Sequence, residues 1–486
     1  MLEKESLAKN FIFQLLYQIV VIVIPMFLAP YLTRTLQETA LGIYSYVHSI
    51  SYYFVVIANL GISKYGQRLI AQNRENNIKL RKAFWSLFFF HAIFSFVIII
   101  FYYIFIFIFV KSYFIVYYLE GIFVLSALFD ITWFFYGLEN FKNVVTKNLI
   151  IKIFHCIFIF IFIREPSDLN KYVLISSSSI LIGQIIMIPQ VVKIIKPIKF
   201  KVEDIKPHIK PMFIFAIAVI ASTLYTTFDM TLLGIMTNKE NVAFYNYSNQ
   251  IISIPNTIVG ILGTVMFPKA CKMVSEGNKD EQKIYIKYSI IFTAIMSIGS
   301  IFGLLAISDL FAVLYYGEAF AVCGGIMKAL SPIVFIIGMG NIIRTQYMIP
   351  NAMDKEFVFC IVCNAIVNLF LSIGLIPRFG IYGAVIGTVS AECFGLVYQM
   401  ILCRKFINIG DIFKLSIPFV IIGLIMFFII ENIGKLNINS IMILLLQVII
   451  GMIIFMILSL IYIFRINKEF KYKTLKLIKF NLRNNI

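Results

Sequence analysis

Fourteen stretches of this 486-residue chain are long and apolar enough to cross a bilayer, and nothing else in the sequence limits its fold as strongly. A membrane helix needs about 20 mostly apolar residues. The runs fall at 10–33, 41–62, 84–109, 113–137, 144–163, 172–192, 211–235, 241–267, 286–308, 325–349, 357–376, 380–403, 415–431 and 440–464. In hydrocarbon the backbone must satisfy its own hydrogen bonds, so runs of this length become helices. Charged residues are only 14% of the chain and mean hydropathy is +0.92. Soluble domains carry about 25% charged residues, so a string of soluble domains is excluded. Met1–Asn10 carries both charge signs, and the run after it reads as a first span rather than a cleavable leader.

The formal net charge of +18 would suggest nucleic acid in a soluble protein. Here the positive charges sort by loop instead. With the N-terminus placed in the cytoplasm, 34 Lys and Arg fall in inner segments and 8 in outer ones. That asymmetry is the positive-inside rule, and it predicts that both termini are cytoplasmic. The longest outer loop is expected at about Asp309 to Gly324, so no soluble domain interrupts the bundle. The basic tail, 465–486, either lies on anionic lipid or is solvated. Seven cysteines, mostly inside apolar runs, imply no disulfide framework, and Cys360-x-x-Cys363 reads as small buried residues.

Leu41-Gly-Ile-Tyr44-Ser-Tyr46 resembles Val242-Ala-Phe-Tyr245-Asn-Tyr247 at an offset of 201 residues. Both stretches open a polar span. The offset divides the chain into a lobe of spans 1–6 (1–200), a second lobe of spans 7–12 (201–405), two further spans (406–464) and the tail. An even number of spans per half gives both halves the same orientation, which is a parallel repeat. A central cavity lined by spans 1, 2, 7 and 8 is the expected consequence.

Polar residues inside a span are costly and usually face a bundle interior or water. Asn249, Ser253, Asn256, Gly260 and Thr264 form a stripe on span 8. Ser45, His48, Ser49, Tyr52 and Asn59 hold the matching positions on span 2. Interhelical hydrogen bonding and cavity lining explain such stripes equally well. Span 7 carries Ser222, Thr226 and Asp229; span 5 carries Asn148, Lys152 and His155; Asp130 lies in span 4 and Glu392 in span 12. A carboxylate at the depth of Asp229 or Glu392 needs a partner, a cation or a proton, so both are candidate coupling sites. His155 and His91 are expected to be satisfied within the bundle, and Lys152 to reach the inner surface.

No G-x-x-x-x-G-K-[ST] loop is present, so this chain does not hydrolyse ATP by that route. Metal-ligand spacing and a nucleophile elbow are missing as well, and nothing points to an enzyme or a bound cofactor. A densely charged anion crossing a low-dielectric interior would need fixed cations, for which arginine is best suited. Arg34, at the outer end of span 1, and Arg344, within span 10, are cations that loop topology does not explain. Lys64 and Arg68 stand at the inner mouth.

Ala29-Pro-Tyr-Leu-Thr-Arg34-Thr-Leu, then Gly42-Ile-Tyr44-Ser, then Gly61-Ile-Ser-Lys-Tyr-Gly66-Gln-Arg68 form an ordered set of motifs. Asp229-Met-Thr-Leu-Leu-Gly234 with Phe244-Tyr245, and Val265-Met-Phe-Pro268-Lys269, continue it. Gln346-Tyr-Met-Ile-Pro350, Ala365-Ile-Val-Asn368, Leu375-Ile-Pro377-Arg378-Phe-Gly380-Ile-Tyr-Gly383-Ala384 and Glu392 complete it. In this set the chain resembles the polysaccharide repeat-unit flippases (Wzx type) of the MOP superfamily, over nearly its whole length. It departs from them at Gln37, where a glycine is usual, and at Ser372, where an asparagine is usual. The resemblance implies an all-helical MOP-like fold. It also implies that oligosaccharides on undecaprenyl pyrophosphate move from the inner to the outer leaflet of a bacterial cytoplasmic membrane by alternating access. Partners would then be the lipid-linked glycan, membrane lipids and other glycan-assembly proteins, with no nucleic acid. A multidrug or lipid II exporter of the same superfamily is the nearest rival reading, and a membrane glycan polymerase or ligase is a rival of another class.

Overall fold

The computed structural model describes residues 23–466, and the protein is helical throughout them. The first thirteen positions of the first run (10–22), the side chain of Ser222 and most of the basic tail lie outside the described residues. In its described part, each of the fourteen runs is built from helix. Among the described residues eleven helical segments have the length and hydropathy to cross a membrane, or twelve with the bent pair Glu318–Leu330 and Ile333–Met348 taken as one. The seventh run lies on a helix of its own, Lys206–Met236.

Two compact units organise these elements, and both are discontinuous in sequence. The first holds the described residues to Tyr247 together with Ala365–Gly387. It contains α1 (described over 23–35), α2 (Gln37–Asn59), α3 (Ile62–Asn73), α4 (Asn77–Phe109), α5 (Phe114–Ser126), α6 (Thr132–Gly137), α7 (Phe141–Phe162), α8 (Leu169–Ile185), α9 (Ile188–Ile194), α10 (Lys206–Met236) and the first turns of α11 (Lys239–Ser275). The second unit runs from Ser248 to Asn364 and from Thr388 onward. It contains the rest of α11, α12 (Lys279–Phe311), α13 (Val322–Leu330), α14 (Ile333–Ile343), α17 (Ile409–Gly434) and α18 (Ser440–Ile466), with parts of α15 (Asp354–Phe379) and α16 (Ile381–Cys403).

Local chemistry sets where the spans break. Asp130 stands where the fourth run breaks: its Oδ1 accepts from the Thr132 amide at 3.0 Å and the Thr132 hydroxyl at 2.6 Å, satisfying the first amide of α6. Pro189 opens α9 and Pro332 precedes α14, both at helix starts where a missing N–H costs nothing. Between α2 and α3 the chain turns through Leu60 (φ 43°) and Gly61 (φ 68°). A Cβ at Gly61 would stand 2.6 Å from the Ala216 amide nitrogen, so α10 can pass this turn only because residue 61 is glycine. The stretch expected as the longest outer loop is largely helical: α12 runs to Phe311, a wide turn covers Ala312–Tyr316, and Gly317 (φ 100°) leads into the turn Glu318–Phe320.

Aromatic side chains fill the core of the first unit around Phe84, Trp133, Phe134 and Phe135, all essentially inaccessible. A second cluster in that unit packs Val47, Tyr102, Tyr117 and Val124. In the second unit Ile290, Met339, Met400, Phe419 and Met426 form the core. Large apolar side chains also point outward in numbers, among them Phe107, Phe162, Phe428 and Met452. On a soluble protein such a surface would be an aggregation patch; here hydrocarbon is its solvent.

The repeat offset reappears as geometry. Thr39 Oγ1 donates to Glu240 Oε1 at 2.7 Å, and Asn246 Nδ2 donates to Ser45 Oγ at 3.1 Å. Both pairs are 201 residues apart, so two positions of α2 bond their own counterparts on α11. Such self-pairing is what a pseudo-twofold axis passing between the two helices produces. From there α2 runs antiparallel along α10: Tyr46 covers Gly234, Ser49 and Tyr53 each reach Thr231 Oγ1 at 3.0 Å, and Gly61 meets Ala216.

Candidate functional site

Three polar clusters sit inside the bundle, and α2 builds the first. Its residues face two ways. Ser45, Ser49 and Tyr53 point to α10 and α11, as above. Tyr44, His48 and Tyr52, one turn apart, point toward α5 and α8. Their rings stack, with Tyr44 to His48 at 5.3 Å and His48 to Phe123 at 4.8 Å between centroids. His48 Nδ1 lies 3.1 Å from Glu120 Oε2, and Ser177 donates to Glu120 Oε1 at 3.3 Å. The Glu120 side chain is 1% exposed and that of His48 is 34% exposed. The stripe read on span 2 is therefore two stripes with different partners. Glu120 was missed in the sequence, although a carboxylate in the middle of an apolar run is itself the signal.

Asp229 anchors the second cluster, also in the first unit. Tyr245 donates its hydroxyl to Asp229 Oδ2 at 2.9 Å, and Ser372 donates to Oδ1 at 3.1 Å. All three are buried, as is Asn368 one turn before Ser372. Position 372, where the family pattern has asparagine, thus touches a carboxylate. A serine there supplies one donor and no fixed amide.

Position 37, the other departure, is equally legible. Gln37 has φ 62°, the left-handed region in which glycine is at ease and other residues are strained.

In the second unit the wide turn Arg344–Met348 ends α14. Gln346 is buried, and its carbonyl accepts from the buried Gln282 side chain at 2.8 Å. Arg344 lies against Gly340, where the Gln399 side chain also arrives. Glu392 is buried. On α11, Asn249 is exposed, and Asn256 is half-buried with its Oδ1 shut from solvent.

The remaining predicted cations are accessible. Arg34 is exposed and donates to the Pro30 carbonyl at 3.0 Å. Lys64 and Arg68 are exposed on α3, and the Arg68 guanidinium sits 5.5 Å from the Tyr65 ring centre and 5.3 Å from that of Phe215. Tyr65 in turn bonds His208 Nδ1 at 2.8 Å, and Ser86 lies 3.3 Å from His208 Nε2. Burial pushes the His208 imidazole below its ordinary value, against a smaller opposite effect from Asp204. His155 meets Ser176 at 3.2 Å, as expected for a satisfied histidine. His91 corrects that expectation: it is fully buried and neither ring nitrogen has a hydrogen-bond partner. Among the described residues no group of three His, Cys, Asp or Glu could hold a metal.

A helical membrane bundle with an internal repeat and carboxylates held at mid-span by hydroxyls is the build of a secondary transporter. The chain matches the family described as "Polysaccharide biosynthesis protein" over residues 7–274, and it belongs to that family. It is 24% identical over 413 residues to a protein named "Putative O-antigen transporter" from Escherichia coli K12, covering 83% of this chain and 98% of that one. A protein of the same name from Shigella dysenteriae is 24% identical over 296 residues, 60% of this chain and 74% of its own. Among solved structures, "Lipid II flippase MurJ, inward closed conformation" superposes with a TM-score of 0.75 at 17% identity, covering 93% of this chain and 99% of that one. A multidrug MATE transporter of the MOP superfamily in its inward-facing conformation gives 0.60 at 12% identity, covering 82% and 96%. At these identities the superpositions establish the fold, which is that of the MOP transporters. The MOP-like fold expected from the resemblance is therefore the fold found.

Proposed function

We propose that this polysaccharide flippase carries oligosaccharide repeat units on undecaprenyl pyrophosphate across the bacterial cytoplasmic membrane, from the inner to the outer leaflet. Family membership supports this reading most directly, together with relatives named "Putative O-antigen transporter". Both termini are placed in the cytoplasm by the 34-to-8 charge asymmetry. The cycle is alternating access of two lobes, spans 1–6 and spans 7–12, with the last two spans outside them.

In this reading Arg34 and Arg344 hold the pyrophosphate, and Lys64 and Arg68 receive it at the inner mouth. A dianion in a low-dielectric interior is expensive unless cations meet it, and a guanidinium binds phosphate oxygens in pairs. Asp229 and Glu392 are the sites where an ion or proton couples to transport, and His48, Asn249 and Asn256 line the path. Without a nucleotide site, the energy comes from an ion gradient, the membrane potential or the carrier-lipid gradient. Other proteins of glycan assembly, a polymerase and a chain-length regulator, act next on the product.

The test is complementation. Cells lacking their own repeat-unit flippase hold lipid-linked glycan on the inner leaflet. Expression of this chain should restore surface polysaccharide and clear that pool. Full membrane expression with no restoration, alongside rescue of a lipid II flippase deletion, would replace the substrate with lipid II.

A further inference from the structure

We propose that His48 and Glu120 together form a proton-binding site in the first unit, loaded through the exposed edge of His48. This rests on the transporter reading and deepens it.

The geometry leaves Glu120 few options. It sits in the middle of α5, and among the described residues its only ion-pair partner is His48. The groups facing the pair are all neutral: Tyr44 and Tyr52 from α2, Phe123 from α5, Tyr172 and Ser177 from α8, Tyr102 from α4 and Tyr247 from α11. Among the described residues no Lys or Arg pairs with Glu120. A Cβ at the adjoining Gly121 would stand 2.3 Å from the Tyr103 hydroxyl, so α5 is pressed against α4 at this turn.

An ionised carboxylate buried beside a neutral imidazole leaves one uncompensated charge in a low dielectric, which is costly. One added proton makes the pair neutral overall, and the low dielectric favours that state. The route follows from the atoms. A neutral His48 carries its proton on Nδ1 and donates it to Glu120 Oε2 across 3.1 Å. A proton arriving from the exposed side adds to Nε2. The Nδ1 proton then passes to Oε2, leaving a neutral histidine protonated on Nε2 and a carboxylic acid. Release reverses each step. Ser177 keeps its hydroxyl on Oε1 throughout, which fixes the carboxyl plane. The pair ties α2, α5 and α8 together, so its charge state bears directly on whether these helices stay closed on one another.

Infrared pH-difference spectra of the purified full chain in lipid bilayers test this. The parent protein should show a carboxylic-acid carbonyl band that changes as the pH of the medium is stepped. Glu120→Gln should remove that component. His48→Gln should change that component, since the carboxyl loses its Nδ1–H donor and the proton loses its route from the exposed side. His48 is half-exposed, so this second variant retains the measurement if Glu120→Gln folds poorly. Difference spectra that superimpose for the parent and both variants would overturn the proposal. Glycan export in the same cells keeps the two readings apart: export with no Glu120 titration sinks the proton site alone, and Glu120 titration with no export sinks the flippase reading alone.

Discussion

Replacing Gly42 by alanine should open the contact between the N-terminal ends of α2 and α11. A Cβ at position 42 would lie 1.9 Å from the Lys239 carbonyl oxygen and 2.4 Å from its carbon, where ordinary contact begins near 3.4 Å. Both atoms are backbone, so no rotamer change relieves the clash. The Lys239 backbone must move away by the shortfall, 1.5 Å. Thr39 and Ser45 lie one turn or less on either side of Gly42. A shift of that size takes their bonds to Glu240 and Asn246 from 2.7 and 3.1 Å to about 4.2 and about 4.6 Å, beyond hydrogen-bond range. Two such bonds are worth about 2 kcal/mol together. That is about a 30-fold change in the balance between closed and open at this end. The assay is disulfide cross-linking of Thr39→Cys to Glu240→Cys in a background free of other cysteines. The two cysteines already remove the Thr39–Glu240 bond, so only the Ser45–Asn246 bond, about 1 kcal/mol, is left to lose. Gly42→Ala should slow cross-linking about 5-fold and Gly42→Leu further, with glycan export falling in parallel. If Gly42→Leu cross-links as fast as the parent, the closure is not held by this contact and the reasoning fails.

Other expectations follow from single residues. Gln37→Gly should stabilise the protein by about 1 kcal/mol, because it removes a side chain from a left-handed backbone; a thermal shift in the opposite direction would show that the Gln37 side chain holds something of greater value. The His208 imidazole has its affinity for protons lowered by burial, so the unfolded chain binds the proton first as pH falls. Stability from the Tyr65–His208–Ser86 contacts should therefore be complete above about pH 6.5 and decline below it, while His208→Gln flattens the melting temperature against pH. Arg34→Gln and Arg344→Gln should each reduce glycan export about tenfold or more, as loss of a charge-assisted phosphate contact requires. Rescue by lysine would mean that charge matters and the planar fork does not, and full-rate export by both Gln variants would remove the anchor.

How much of this was legible from the chain can be read residue by residue. The apolar runs located the long helices of the described residues, because length and hydropathy are local and hydrocarbon admits little else, but not the polar α3, which lies between two runs. The 201-residue offset identified a repeat, and Thr39–Glu240 and Ser45–Asn246 meet at that same separation. Sequence also singled out Asp229 and His48, since a polar group in an apolar run is conspicuous without any structure. It could not pair them. Tyr245 and Ser372 reach Asp229 from positions 16 and 143 residues away, and Glu120 reaches His48 from 72 away. Those partners are chosen by how helices cross, and helix crossing depends on side-chain volume on both faces rather than on polarity along one. The same applies to the two faces of α2. Ser45, His48, Ser49 and Tyr52 read as one stripe because period alone cannot say where one neighbour stops and the next begins. Only the packing of α10 on one side and α5 with α8 on the other divides structural hydroxyls from a titratable pair. Local hydropathy determined what the chain must be. The tertiary crossings decided which of its polar residues are glue and which hold a charge, because a buried charge is set by its neighbours in space.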